Sequence, residues 1–97
     1  MLSWGCGYFG QLGHGDDASY HAPRVVQRLE PRRLGGEHGR VVRIAAGGSH
    51  TMALTERSGA VFSWGFNRFG QCGNGTRGNS VSEPKPVVLE VTRGDTR

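Results

Sequence analysis

The sequence predicts an all-β chain of antiparallel four-stranded blades, a fragment of a β-propeller. Glycine supplies 17 of the 97 residues, too many for a helical bundle, where each interior glycine costs about 1 kcal/mol. Those glycines bound short runs of alternating or β-branched residues, at the spacing of a meander of antiparallel strands. The chain also repeats itself. Residues 2–15 read LSWGCGYFGQLGHG and residues 62–75 read FSWGFNRFGQCGNG, with eight of fourteen positions identical at a uniform offset of 60. Four short strands per repeat, stacked radially, is how a propeller buries sheets that could not bury themselves alone.

The elements follow in order. Leu2–Trp4 and Val25–Leu29 are predicted as the third and fourth strands of a first unit, residues 1–29. Residues 30–40, EPRRLGGEHGR, are a polar basic connector. Residues 41–91 form one nearly complete blade. In it Val41–Ala46 is a strand that stops at Gly47-Gly48, and His50–Thr55 is a second with Met52 and Leu54 on one face. Glu56–Gly59 is a turn, and Ala60–Trp64 is a third strand with Phe62 and Trp64 on one face. A long loop from Gly65 to Pro86 carries the repeated glycines, and Val87–Val91 is the fourth strand. Pro84 and Pro86 precede that strand, where they remove no ladder hydrogen bond. Pro23-Arg24-Val25-Val26 matches the segment starting at Pro84 with some slippage, and residues 92–97 are a tail.

The departures between copies are informative. Gly7 is replaced by Asn67, the two residue types that most readily take positive φ, so a left-handed backbone is expected there. Leu12 is replaced by Cys72, a swap between residues that favour burial, so Cys72 is expected to be a core hydrophobe, and Cys6, opposite Phe66, likewise. No Cys-x-x-Cys occurs, which removes a zinc knuckle or redox pair, and reduced thiols are expected.

Composition excludes further classes. Glycine does not fall at every third position, as collagen requires. No run of apolar residues is long enough to span a membrane, and no membrane partner is expected. Met1 is not followed by a charged segment and an apolar run, so no leader is expected. The formal net charge of +4 comes from 11 arginines and Lys85 against 8 acids. The arginines are scattered, with only Arg32 and Arg33 adjacent, whereas a nucleic-acid footprint is a clustered stripe.

Several motifs resemble chemical sites. Gly5-Cys6-Gly7-Tyr8-Phe9-Gly10 fits GxGxxG, with Glu30 following at a suitable distance, but the second copy reads GxNxxG. The glycine-rich stretch after Gly10 cannot open the helix that a phosphate cradle needs, so no cofactor is expected. Ser49 and His50 are neighbours in a strand start and point to opposite faces, which rules out a nucleophile–base pair. His50 is expected to be half-buried and hydrogen-bonded to backbone. His14, His21 and His38 lack ligand spacing, so no metal is expected. Asp16-Asp17 is read as a solvated turn, and Asn74-Gly75-Thr76 as a turn in spite of its glycosylation pattern. No catalytic set emerges. The equivalent Trp4 and Trp64 are expected to pack between blades.

Trp-Gly-x-(Gly/Asn)-x-Phe-Gly-Gln-x-Gly-x-Gly, with Ala-Ala-Gly-Gly-x-His-Thr-x-Ala-Leu upstream of its second occurrence, resembles the repeat of the regulator of chromosome condensation family. The resemblance covers nearly all of the chain except the connector and the tail. It assigns Trp4, Gly5, Gly10, Gln11, Gly13, Gly15, Gly47, Gly48, His50, Trp64, Gly65, Gly70, Gln71, Gly73 and Gly75 to the structural signature of the repeat. It implies a seven-bladed propeller when complete. This chain holds about one and a half repeats and cannot close that ring, so the remaining blades would have to come in cis or in trans.

The expected function is non-catalytic: a propeller segment that binds a protein partner through its variable loops. Tyr8 and Arg68 share one variable loop position, and Arg77 and Asn79 follow in the second loop, so these four are the candidate partner residues. The resemblance implies two alternatives. One is part of a guanine-nucleotide exchange factor for a small GTPase, for which no residue here can be matched. The other is a regulatory repeat region of a larger protein such as a ubiquitin ligase or a kinase. The basic balance adds chromatin or nucleic acid as a possible partner. An intracellular setting, cytoplasm or nucleus, is expected.

Overall fold

The computed structural model describes residues 1–30, 39–57, 59–75 and 78–87. They form an all-β structure of two antiparallel sheets. Strands β1 (Leu2–Gly5) and β2 (Tyr20–Val25) make the first sheet. Strands β3 (Val41–Ala46), β4 (His50–Thr55), β5 (Val61–Phe66) and β6 (Ser80–Pro86) make the second, in the order β3-β4-β5-β6. The second sheet is one propeller blade. The first sheet reproduces the β5–β6 half of it.

Register makes the repeat explicit. Leu2 pairs with Val25, Ser3 with Arg24 and Gly5 with Tyr20. In the second sheet Phe62 pairs with Pro86, Ser63 with Lys85 and Gly65 with Val81. The first members differ by 60 and the second by 61, so the slippage in the sequence match is one extra residue in the second loop. Both ladders end alike: Val26 N donates to Met1 O at 2.9 Å and Val87 N to Val61 O at 2.8 Å.

The fourth strands differ from expectation. They lie at Tyr20–Val25 and Ser80–Pro86 instead of Val25–Leu29 and Val87–Val91, and residues 88–91 fall outside the described residues. Prolines caused the misreading, because Pro23, Pro84 and Pro86 sit inside the strands. These are edge strands. Val26 and Val87 direct their N–H groups inward, so by alternation the nitrogens of Pro84 and Pro86 face away from the ladder and none of its bonds is lost. Residues Gln27–Leu29 form a 3-10 turn, closed by Leu29 N to Val26 O at 3.1 Å, which carries Leu29 into the core.

One core crosses the repeat boundary. Val26 and Leu29 from the first repeat pack with Ala53, Phe62, Trp64, Cys72 and Val81 from the second. Ala53 pairs with Phe62 and Thr51 with Trp64, so these four share the face of the blade turned toward the first repeat. Met52 and Leu54 share the opposite face, as expected, and are only half-buried, while Ala53 and Thr55 are the buried positions of β4. Cys72 is buried, and desolvation pushes its thiol up. Cys6 departs from expectation: it is exposed. The polar connector 30–40 lies mostly outside the described residues. At its end Glu56 N donates to Arg40 O at 2.9 Å.

Candidate partner-binding surface

The repeated loops are built by the same bonds. Gly10 N donates to Gly7 O at 2.9 Å and Gly70 N to Asn67 O at 3.0 Å, while Gly13 N to Gly10 O and Gly73 N to Gly70 O are both 3.0 Å. The amide oxygen of Gln11 accepts Phe9 N at 2.8 Å, and that of Gln71 accepts Phe69 N at 3.0 Å. After Gly10 the chain therefore turns a second time. Neither Gly7 nor Asn67 has the positive φ expected of that position. Asn67 is buried and acts through its side chain, whose Oδ1 accepts Cys72 N at 3.2 Å. In the first copy glycine is needed for space, because a Cβ at Gly7 would run into the Ala18 carbonyl.

The first loop lies against the second blade. A Cβ on Gly13 would meet Trp64 Nε1 at 2.7 Å, and one on Gly10 would meet Ser82 Cα at 2.7 Å. Gly15 N donates to Ser82 O at 2.9 Å, and Thr51 Oγ1 donates to Gln11 O at 2.9 Å. Phe9 meets Phe66 edge-on at 4.9 Å between ring centroids. Trp64 is consequently 0% exposed, which is packing between blades as expected, whereas its counterpart Trp4 is 56% exposed. Trp4 also borders a cleft of about 440 Å³ between β1 and the β3–β4 hairpin, lined in part by Leu2, Ile44 and His50. The His50 ring lies over Gly47, where a Cβ would approach Cε1 to 2.7 Å, so contact with bare backbone takes the place of the expected hydrogen bond.

Tyr8 and Arg68 sit at the turn tips of the two loops and are exposed. Tyr8 is 74% exposed although its neighbours Phe9, Gly10 and Gly13 are engaged with the second blade. Arg68 extends over the Phe69 ring, 5.9 Å from its centroid. Asn79 is exposed on the far limb of the second loop, and its carbonyl accepts Asn67 N at 2.7 Å. Arg77 lies outside the described residues. Tyr8 and Arg68 thus occupy equivalent tips, with Asn79 beside the second. Phe9, Phe66 and Phe69, which join the loops, were not singled out as a cluster in the sequence; Phe9 and Phe69 recur in the repeat, but Phe66 stands where the first copy has Cys6.

A second polar cluster lies on β2. Tyr20 donates its hydroxyl to Asp16 Oδ2 at 2.7 Å, and Ala18 N donates to Asp16 Oδ1 at 3.2 Å. The tyrosine bond first, and the backbone bond and Arg24 after it, hold the Asp16 carboxyl below its usual range. Arg24 lies over the Tyr20 ring at 4.8 Å and His14 meets its edge at 4.9 Å. Between the repeats, Arg28 forks onto both Glu83 oxygens at 3.1 and 3.2 Å, which holds the Glu83 carboxyl down and raises Arg28. Among the described residues no three His, Cys, Asp or Glu side chains come together as metal ligands would. No helix among them is long and apolar enough to cross a membrane.

Stacked antiparallel blades bridged by glycine-built loops define a propeller segment. The chain belongs to the family of the regulator of chromosome condensation (RCC1) repeat, whose model matches residues 1–54 and 58–96. A second model of the same description matches residues 41–71. The chain is 41% identical to human Protein RCC2 over 91% of its own length, 36% identical to human E3 ubiquitin-protein ligase HERC2 over 97%, and 47% identical to rat Alsin over 93%. It spans 15%, 2% and 5% of those proteins respectively. The crystal structure of human WBSCR16 superposes with a TM-score of 0.65 at 30% identity, over 88% of this chain and 20% of that one.

Proposed function

We propose that this chain is a non-catalytic propeller segment that presents its turn tips, Tyr8, Arg68 and Asn79, to a protein partner. The observation that carries this is the exposure of Tyr8. Stacking of the repeats consumes Phe9, Gly10 and Gly13 and leaves the tip between β1 and that contact in solvent. A position spared by the architecture is free to specify a partner. Tyrosine and arginine are also the residue types that concentrate binding energy at interfaces. Arg77 belongs to the same proposed surface on its place in the second loop.

The test is affinity capture with the full chain and with a Tyr8→Ser/Arg68→Ser double variant. Loss of the captured proteins from the double variant supports the assignment; retention of the same set refutes it. A role as a regulatory repeat region within a larger protein is favoured by the match to HERC2, which takes in almost the whole of this chain and a small part of that protein. Under this reading the captured partner would control, or be delivered to, an activity held elsewhere.

A small GTPase remains within the proposed partner class, and release of labelled nucleotide from a GTPase panel reads exchange directly. Chromatin or nucleic acid would require binding that weakens steeply as salt rises from about 50 to 200 mM. The domain boundaries proposed are 1–29, 30–40, 41–91 and 92–97. The proposed compartment is intracellular, in keeping with two free cysteines, one of them exposed.

A further inference from the structure

We infer that Tyr20 is a phosphorylation site, and that Arg24 takes up the phosphate once it is added. Tyr20 stands opposite Gly5 in the first sheet and Arg24 opposite Ser3, so by alternation their side chains share one face of β2. The Arg24 guanidinium lies 4.8 Å from the centre of the Tyr20 ring, and His14 meets that ring edge-on at 4.9 Å. Ser3 Oγ donates to Leu12 O at 2.6 Å, so it accepts from His14 Nε2, 3.0 Å away, and holds the imidazole in place. A cavity of about 60 Å³ beside the cluster is lined in part by His14, Arg24, Arg28 and Glu83. This face of β2 is therefore turned to the second blade, and both walls of the boundary belong to the chain.

The hydroxyl is within reach of an enzyme. The ring is half-buried, but its oxygen points outward to the exposed carboxylate of Asp16, at 2.7 Å. Residues 15–19 before it and 21–25 after it are exposed. β2 is an edge strand, as β6 is in the complete blade, and an enzyme that takes its substrate as an extended segment can lie along such an edge.

The step is phosphoryl transfer from a nucleoside triphosphate by a tyrosine-directed kinase. The bond from Tyr20 Oη to the γ-phosphorus forms, and the bond from that phosphorus to the β–γ bridging oxygen breaks. The nucleoside diphosphate leaves, and the hydroxyl proton passes to the kinase's base. The product carries a charge of about −1.5 to −2 at neutral pH. It cannot keep Asp16 as its neighbour, because the proton that bound the carboxylate is gone and the two anions repel. Arg24 is already beside the ring, and a charge-assisted fork onto phosphate is stronger than its contact with the ring face. Two side-chain ties fasten residues 16–19 to the first sheet: Tyr20 to Asp16, and Gly7 N to Ser19 Oγ at 3.1 Å. Phosphorylation cuts the first of them. It loosens the limb of the loop that follows Gly15, while Gly10 and Gly13 stay on the second blade. Tyr8 and Arg68 take no part, which separates this inference from the proposed function.

The test uses the full chain, ATP and a purified tyrosine kinase catalytic domain of broad specificity, selected for its turnover of a peptide of residues 13–24. Mass spectrometry is expected to find Tyr20 of the folded chain phosphorylated at a rate within about tenfold of the peptide's. A larger deficit shows that the hydroxyl is reached only by unfolding, and overturns the inference. Phosphorus NMR then follows the phosphate on Tyr20 through its second ionisation, in the wild type and in Arg24→Gln. The midpoint is expected to lie at least about half a pH unit lower with Arg24 present; equal midpoints overturn the uptake by Arg24. If Arg24→Gln loses its strand circular dichroism, the folded wild type is compared with the same chain unfolded in urea, under the same criterion.

Discussion

Gly10 and Gly70 are a matched pair that isolates the packing between repeats. Their backbones are alike, with φ of 74° and 76°, and each closes the same turn. An alanine at either position pays the left-handed penalty of about 1–2 kcal/mol. The surroundings differ. At Gly10 the new methyl would lie 2.7 Å from Ser82 Cα, 3.0 Å from Ser82 Cβ and 3.2 Å from Val81 O, mostly backbone that cannot rotate away, whereas at Gly70 it meets nothing within 4 Å. Overpacking against a fixed neighbour adds about 1–3 kcal/mol. Gly10→Ala is therefore expected to destabilise by about 2–5 kcal/mol, and Gly70→Ala by the strain of about 1–2 kcal/mol alone. Denaturant titration read by Trp64 fluorescence, at concentrations where the chain is monomeric, measures both. Equal losses at the two positions would refute the claim that the first loop is pressed onto the second blade.

Other perturbations probe the same asymmetry. Trp64→Ala removes a fully buried ring and is expected to cost about 3–5 kcal/mol, while Trp4→Ala costs less than about 1 kcal/mol in the monomer, by the same titration. A thiol reagent is expected to label one cysteine, Cys6, in the native chain and both after denaturation, since Cys72 is buried; rapid labelling of two would show that the second loop is open. Asp16 and Glu83 are both held below the ordinary carboxylate range. Their contribution is thus complete above that range and lost as pH falls through the lowered values. Melting temperature is expected to drop on acidification below about pH 4, and Asp16→Asn with Glu83→Gln to flatten the drop.

The repeat could be read from the sequence because its most constrained residues are those that bare backbone and aromatic packing demand. Trp4/Trp64, Gly10/Gly70 and Gly13/Gly73 each recur because one local bond pattern recurs. The limits of the fourth strand were not legible, since Pro23, Pro84 and Pro86 signal a break when read along the chain and are harmless only at a sheet edge. The Gly7/Asn67 exchange misled for a related reason. Composition suggested positive φ, but one residue avoids a clash with Ala18 and the other reaches across to the Cys72 amide. Tyr8 and Arg68 were legible as variable positions within an invariant frame. The Phe9–Phe66–Phe69 strip was not, because Phe9 and Phe66 are distant along the chain and meet only once the blades are stacked.

The difference between the two repeats says more than their likeness. Trp4 and Trp64 share sequence context, strand and neighbours along the chain, yet one is 56% exposed and the other 0%. Local sequence therefore does not bury the tryptophan. The glycine loop of the adjacent repeat does, and only because Gly10 and Gly13 carry no side chains that would hold it off. Conservation of form between repeats is thus a requirement of the interface between them, and the turn tip at Tyr8 and Arg68 escapes that requirement. A segment whose packing residues repeat while its tip residues differ can change partner without changing fold, which is why the partner surface is sought at the tips.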